Sequence, residues 1–362
     1  MDIDQYLSQR QASLDKGKVR IRKFEVFDFN YVPEKPLMRE EVKPVIDALL
    51  RYQQTGIANN VLILGARGSG KSVLAMYLMK VMGRQEAPVF AYANCRQHNT
   101  SVKILAALLG IRPRGSSLDE LWQRFEESHA GRVVFVLDEV DLMSDKDRRK
   151  DILYLLSRST RNYMAVLLSN NPKFLNLLDE SIQSTLQPEI VHFRNYDATE
   201  IEQILVERAR IGLKTTPAGI LSKISALTTR NTHSDVRVAI KTLYLWALEP
   251  EATIADHFEK ARRDIMVDVV RDLNDKNLLI LKAVRDQSGG FAKEIYATYR
   301  RISVQVHEEP FSYMHFYSSL SYLQSLGLVV LISTKVNRTY ANRIEPTFDP
   351  GILDAVWSMR FD

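Results

Sequence analysis

Residues 61–82 constrain this chain more than any other stretch. They read V-L-I-L-G-A-R-G-S-G-K-S and then run on as a helical pattern that ends before Gly83. Residues 61–64 are all apolar and β-forming, as in a strand covered on both faces. Gly65, Ala66, Arg67, Gly68, Ser69, Gly70, Lys71 and Ser72 then supply G-x-x-x-x-G-K-S, the spacing of a phosphate-binding loop. Glycines at these positions let successive backbone N–H groups turn inward around a phosphate. The helix starting near Gly70 aims its positive end at the same point. Lys71 reaches the outer phosphates, and the Ser72 hydroxyl is placed to ligate Mg²⁺. A chance glycine-rich turn would lack the strand before it and the helix after it. The expected ligand is therefore a nucleoside triphosphate, with ATP/ADP and Mg²⁺ as cofactors.

A length of 362 residues suggests two or three domains, each able to bury its own core. Apolar and charged fractions of 45% and 26% are those of an ordinary globular protein. The single cysteine, Cys95, rules out an internal disulfide and fits a reducing, cytoplasmic setting. The first eleven residues are polar and acidic at the start, unlike a secretory signal. No apolar run approaches the ~18 residues of a membrane span, so no membrane partner is expected. A net charge of +5 and a pI near 9.1 lean towards a polyanionic partner.

Along the chain, residues 1–23 read as a flexible tail ending in a basic tract. An extended, proline-interrupted segment follows, and then a helix over about 40–54. After the phosphate loop come β-forming runs at 88–94, 133–137 and 165–168, separated by helical patterns at 100–109, 118–129 and around 152–156. Strands alternating with helices mean a parallel sheet with crossover helices. From about Tyr196 the strands stop. Asp197 and Glu200 form a capping box opening a helix over 199–211. Further helices are expected at 218–228, 234–247 and 254–274. The last stretch carries helices near 278–286, 292–306 and 312–326, then β runs at 328–332 and 340–344, the pattern of a winged helix. The expected division is thus a tail (1–23), an ATPase core (24–195), a helical lid (196–275) and a winged-helix domain (276–362).

Asp138 and Glu139 end a buried strand, where open α/β sheets place their ligands. Asp138 suits Mg²⁺ coordination, and Glu139 suits polarisation of the attacking water. Asn170 ends the next strand with a neutral amide able to meet both the γ-phosphate and that water, whereas Asn171 is explained by an Asn-Pro turn. Arg237 falls in the first turn of a helix capped by Ser234 or Asp235, an unfavourable place for a cation unless an anion is near. Arg208 shares the apolar stripe of Ile201, Ile204 and Leu205, where a guanidinium needs a partner. For both arginines that partner is the nucleotide or a local carboxylate. In the winged helix, Phe316, Leu320, Leu323 and Leu326 share one helix face, and Tyr313, Tyr317, Ser318, Ser321 and Gln324 share the other. The polar wing carries Lys335, Asn337 and Arg338, with Arg343 beyond it. A duplex carries about one charge per 1.7 Å, so a few such cations suffice to grip its phosphates.

Taken together, these residues resemble the archaeal origin-recognition/cell-division-cycle initiator proteins, a branch of the AAA+ ATPases. The resemblance runs over nearly the whole chain from Phe27. It is carried by Y31-V-P-E with L37-M-R39, the phosphate loop, N94-C-R, D138-E-V-D and S169-N. It continues in S184-T-L-Q-P-E-I-V, Y196-D-A-T-E, D235-V-R and Y322-L-Q-S-L-G-L. The resemblance implies an α/β AAA+ core with a parallel sheet, a helical lid and a winged helix. It implies that Asn170 and Arg237 are the two sensors and that Tyr196 and Arg208 contact nucleotide. It places Tyr31, Val32 and Pro33 near the adenine. Residues 96–114, with Lys103, Arg112 and Arg114, would be a DNA-contacting insertion. The implied function is an ATP-switched initiator, nucleoid-associated, that binds duplex DNA at replication origins. Its implied partners are the replicative minichromosome-maintenance helicase, which it recruits or loads, and paralogous initiators.

The chain departs from that pattern in places. Ser181 stands where the family carries an arginine finger, leaving Arg158 or Arg161 as substitutes. Ser234 replaces a usual glycine, and the third helix of the winged helix lacks basic residues. These departures mark a divergent paralogue with slow hydrolysis. The alternative readings are a phosphate-loop signalling ATPase and a nucleotide-bound winged-helix transcription regulator.

Overall fold

A computed structural model describes residues 2–18, 20–84, 88–113, 115–144, 147, 150–249, 251–336 and 339–361. It divides into two compact units, Val32–Arg194 and a second made of Met1–Tyr31 with Asn195–Asp362. Helix α1 (Ile3–Lys18) opens the chain, where the sequence suggests a flexible tail. Ile21 then pairs with Leu213 in an isolated antiparallel bridge.

The unit Val32–Arg194 runs α2 (Val42–Thr55), β1 (Val61–Gly65), α3 (Lys71–Met82), β2 (Val89–Asn94), α4 (Ser101–Leu108) and α5 (Leu118–Ser128). It continues through β3 (Val133–Asp138), α6 (Asp151–Arg158), β4 (Met164–Ser169), α7 (Glu180–Leu186) and β5 (Glu189–Phe193). The five strands form one parallel sheet in the order β2-β3-β4-β1-β5. Side chains alternate along each strand. Leu62, Leu64, Phe135, Leu137, Ala165 and Leu167 therefore enter one core with residues of α4, α5 and α6. Val61, Ile63, Val134, Val136, Val166 and Leu168 enter the other with α2 and α3. This two-sided burial is why the strands read as unbroken apolar runs. The order also makes the carboxyl ends of β3, β4 and β1 neighbours.

Strand β5 is absent from the sequence reading. It lies at the sheet edge, where only Val191 and Phe193 are buried while Ile190 and His192 face outward. It therefore lacks the apolar run that marks β1, β3 and β4.

The second unit continues with α8 (Ala198–Gly212), α9 (Ala218–Asn231), α10 (Val236–Leu248), α11 (Ile254–Arg271) and α12 (Asp275–Asp286). Then follow β6 (Gly290–Phe291), α13 (Ala292–Gln305), α14 (Tyr313–Ser325), β7 (Val329–Val336), β8 (Thr339–Pro346) and α15 (Pro350–Phe361). The expected capping box opens α8, with Asp197 accepting from Glu200 N–H at 2.8 Å and Glu200 accepting from Asp197 N–H at 3.0 Å. Residues 24–31, expected with the ATPase core, pack here instead. Val26 and Phe27 fill the helical core beside Leu205, Ala209 and Leu243. Gly212 makes this possible, since a Cβ there would lie 2.3 Å from Val26 Cγ2 and 2.8 Å from Phe27 Cε2.

The winged helix has the expected three helices and an antiparallel three-stranded sheet in the order β6-β8-β7. Helix α15 comes in addition to the elements that the sequence pattern predicts. Ile352, Leu353 and Val356 bury its inner face, and Arg360 donates to the carbonyls of Arg271 and Leu273 and to Asp275.

Candidate nucleotide-binding site

Each glycine of the phosphate loop answers a physical demand. Gly68 and Gly70 have φ of +75° and +90°, left-handed backbone that strains a side chain. Gly65 is packed so tightly that a Cβ would meet Phe193 O at 2.7 Å and Ser69 Oγ at 2.9 Å. Lys71, at the start of α3, is 6% exposed. Its ammonium donates to the carbonyls of Gly65 at 2.7 Å and Ala66 at 2.9 Å, and to Asn170 Oδ1 at 2.9 Å. The expected cation and sensor amide are thus in direct contact.

Asp138 ends β3, buried throughout its length. Its carboxylate accepts from Tyr92 Oη at 3.2 Å and from the Ser72 hydroxyl. Burial raises its pKa, a shift that the Ser72 hydrogen bond opposes. Two hard oxygens in contact at the mouth of a phosphate loop suit Mg²⁺, which takes few protein ligands and completes its shell with phosphate and water. Among the described residues no group of three or more His, Cys, Asp or Glu forms an all-protein metal cage.

Glu139 takes a left-handed φ of +54°. Its carboxylate is paired with Arg96 Nη2 at 2.7 Å and accepts from Asn94 Nδ2 at 3.3 Å. Sequence reasoning missed the role of both partners. The available signal was polar residues ending β2, the neighbour of β3, with Asn94 opposite Asp138 in register. It also missed Asp141, whose Oδ1 accepts from Ser169 Oγ at 2.8 Å and Asn170 N–H at 3.0 Å. Burial raises the Asp141 pKa, with the bonds from Asn170 and Ser169 opposing the shift. Asp141 therefore fixes the backbone that presents Asn170. Asn171 behaves as the Asn-Pro turn suggests, accepting from Lys173 N–H at 2.9 Å. Val32 is half-buried and Pro33 buried in this unit.

Tyr31, Tyr196, Arg208 and Arg237 belong to the other unit and are described within it. Asp235, not Ser234, caps α10, and the same carboxylate holds Arg237 through Nε at 2.9 Å and Nη2 at 2.5 Å. The local carboxylate is thus one partner of Arg237. Ser234 has φ +64° beside His233 at +50°, left-handed backbone that glycine would adopt without strain. Arg208 is 5% exposed and finds its partners in backbone. It donates to the carbonyls of Val26, Asp28 (3.4 Å) and Tyr31 (3.3 Å), and its guanidinium lies 4.5 Å from the Tyr31 ring centroid. Neither of the two expected partners, nucleotide or carboxylate, is needed to account for its burial. Tyr196 is half-buried against the same helical core.

Of the residues expected at DNA, Lys103 on α4 and Arg112 are exposed, and Lys103 Nζ donates to Asn99 Oδ1 at 3.1 Å. Tyr313 begins α14 and packs edge-on against Tyr296 at 5.2 Å. Arg343 is exposed on β8, with Nε donating to Gly289 O at 2.9 Å. Lys335 lies in β7, whereas Arg114, Asn337 and Arg338 lie outside the described residues. Phe316, Leu320, Leu323 and Leu326 are buried together, as their spacing requires.

Three comparisons bear on this arrangement. Residues 35–169 match the family model described as an AAA ATPase domain. The chain is 28% identical to the "ORC1-type DNA replication protein 1" of Sulfurisphaera tokodaii, over 90% of this chain and 88% of that one. Its fold is similar to the Aeropyrum pernix ORC1 protein solved in complex with DNA, with TM-score 0.67 and 23% identity, covering 94% of this chain and 97% of that one. It is also similar to the Aeropyrum pernix ORC2 protein solved as ADPNP–ADP complexes, with TM-score 0.58 and 22% identity, covering 94% and 99%.

Proposed function

We propose that this chain, which belongs to the archaeal origin-recognition/cell-division-cycle initiators of the AAA ATPase class, is an ATP-switched protein that binds duplex DNA at replication origins. The observation that carries the reading is the cluster at the carboxyl ends of β1, β3 and β4, where Lys71 meets Asn170 and Ser72 meets Asp138. In this reading the loop 65–70 and Lys71 hold the phosphates, and Ser72 and Asp138 hold Mg²⁺. Glu139 polarises the lytic water once released from Arg96, and Asn170 orients that water. Arg237, Arg208 and Tyr196 act on the nucleotide, and Tyr31, Val32 and Pro33 act near its base. Hydrolysis is slow and resets the switch. The winged helix, through Tyr313, Lys335, Asn337, Arg338 and Arg343, and the insertion, through Lys103, Arg112 and Arg114, contact DNA. Work at the nucleoid with a minichromosome-maintenance helicase and with paralogous initiators follows from the same reading. The Sulfurisphaera relative is named for DNA replication, and the first Aeropyrum relative was solved with DNA.

Gel-shift titration of random and origin duplexes with ATP, ADP or no nucleotide tests this. Duplex binding whose affinity depends on the nucleotide supports the proposal. ATP turnover with no duplex binding would favour a signalling ATPase. Binding indifferent to nucleotide would favour a transcription regulator.

A further inference from the structure

We propose that Arg39 is a positioning residue that presets the phosphate loop and ties its state to residues 193–196, where the chain leaves its unit. The inference rests on the reading that the loop takes a nucleoside triphosphate. Arg39 lies on the segment before α2 and is 5% exposed. Its Nη1 donates to Ser69 O at 3.2 Å, inside the phosphate loop. Its Nη2 donates to Arg194 O at 2.6 Å, one residue past β5. Glu41 pairs with the same guanidinium and lies 3.9 Å from Arg194 Nε. The guanidinium carbon is 5.8 Å from the centroid of the Phe193 ring. Phe193 is in turn the residue whose backbone leaves no room for a Cβ at Gly65. One planar fork therefore joins the loop to the end of β5, beside the point where Gly65 pairs with Phe193.

Two physical consequences follow. A peptide unit is planar and trans, so its C=O and the next N–H point in opposite directions. Holding the Ser69 carbonyl on Arg39 sends the Gly70 N–H the other way, the sense that a phosphate-binding amide needs at a helix N-terminus. Lysine does not substitute, because an ammonium is a point charge without the fixed two-pronged geometry. The second consequence comes from the other prong. Arg194 is the last residue of its unit. Any shift of the Ser69 peptide on phosphate binding strains or relaxes the bond to Arg194 O through the same rigid plane. The guanidinium is buried, so that strain is not absorbed by water.

The test compares wild type, Arg39→Lys, Arg39→Gln and Lys71→Ala, using fluorescent ADP and ATP analogues, steady-state turnover and amide hydrogen exchange of the peptide spanning 193–196. Wild type binds nucleotide, and binding slows exchange in that peptide. Arg39→Lys, which keeps a cation opposite Glu41, still unfolds cooperatively without nucleotide but raises the Kd by roughly tenfold or more, the scale of one lost bond to a charged group. It raises KM more than it lowers kcat, and nucleotide at saturation no longer slows exchange at 193–196. Arg39→Gln, which also leaves Glu41 without its nearer cation, lowers the nucleotide-free thermal midpoint and shows the same loss of affinity and of exchange response. Wild-type affinity in both variants, or a wild-type exchange response to nucleotide in both, overturns the proposal. So does exchange at 193–196 in wild type that ignores bound nucleotide. If wild type and Lys71→Ala alike fail to bind nucleotide, the underlying assignment of the loop has failed, and this proposal with it.

Discussion

The Lys71 ammonium sits inside the phosphate loop, donating to the Gly65 and Ala66 carbonyls and to Asn170 Oδ1, which puts its charge where a phosphate would lie. Lys71→Ala is expected to abolish nucleotide binding, whereas Glu139→Gln should retain ATP and stop turnover. Filter binding and phosphate release decide the pair, and wild-type hydrolysis by the Gln variant would remove Glu139 as the water-polarising base. Asp141 yields a pH prediction. Its native pKa is raised by burial, so the native state holds that proton more tightly than the unfolded chain does. The stability from this group is present below the ordinary carboxylate pKa of about 3.9 and is lost as pH rises through the native value. Asp141→Asn has no such loss. Its stability relative to wild type should therefore climb as pH rises above about 4, by at most ~1.4 kcal/mol per pH unit. Denaturation midpoints of the two proteins across that range test it, and parallel curves would show the carboxylate to be energetically idle.

At the scale of elements, α8 depends on a missing side chain. Gly212 lets Val26 and Phe27 reach the helical core, and a methyl there would overlap both. Gly212→Ala is expected to destabilise its unit by about 1–3 kcal/mol, the usual cost of overpacking. An unchanged thermal midpoint would mean that the 24–31 segment detaches at no cost. The wing makes its own prediction. Arg343 is exposed on β8, and Arg338 lies in the sequence between β7 and β8. Changing both to Ala should weaken binding alike on every duplex and flatten the salt dependence by about two ion equivalents. A salt slope equal to wild type would take the wing out of the interface.

For the molecule as a whole, the question is whether hydrolysis needs a neighbour. A finger delivered in trans is typically worth ~10³-fold or more in rate. Ser181, exposed on α7, carries no charge to deliver, and Gln183 donates its amide to Leu178 O at 2.7 Å. Arg158 lies over the ring of Tyr154 at 4.9 Å, on its own helix. ATP turnover per molecule is therefore expected to be slow and independent of protein concentration over a hundredfold range. A steep rise in specific activity would show that Arg158, Arg161 or another arginine serves a second copy.

The sequence by itself determined the phosphate loop, the buried strands β1, β3 and β4, the cap of α8 and the winged helix, and it narrowed the cap of α10 to Ser234 or Asp235. Each of these is a local matter. Glycine alone tolerates the backbone at positions 68 and 70, a strand covered on both faces must be apolar throughout, and a capping carboxylate sits within a turn of the N–H groups it serves. It failed at β5, where Glu189 and His192 break up a five-residue strand that buries only Val191 and Phe193. The capture of residues 24–31 by the helical unit was also illegible, because a cavity over Gly212 is a property of packing. Tertiary structure alone decided what the charged residues do. Arg39 joins carbonyls 30 and 155 positions away, and Arg96 reaches across from the end of β2 to Glu139, 43 positions on. Arg208 turns to backbone 177 to 182 positions earlier. A buried charge must be partnered, and local pattern states that need without naming the partner. Only the folded chain, which brings distant carbonyls and carboxylates within 3 Å or so, makes the choice.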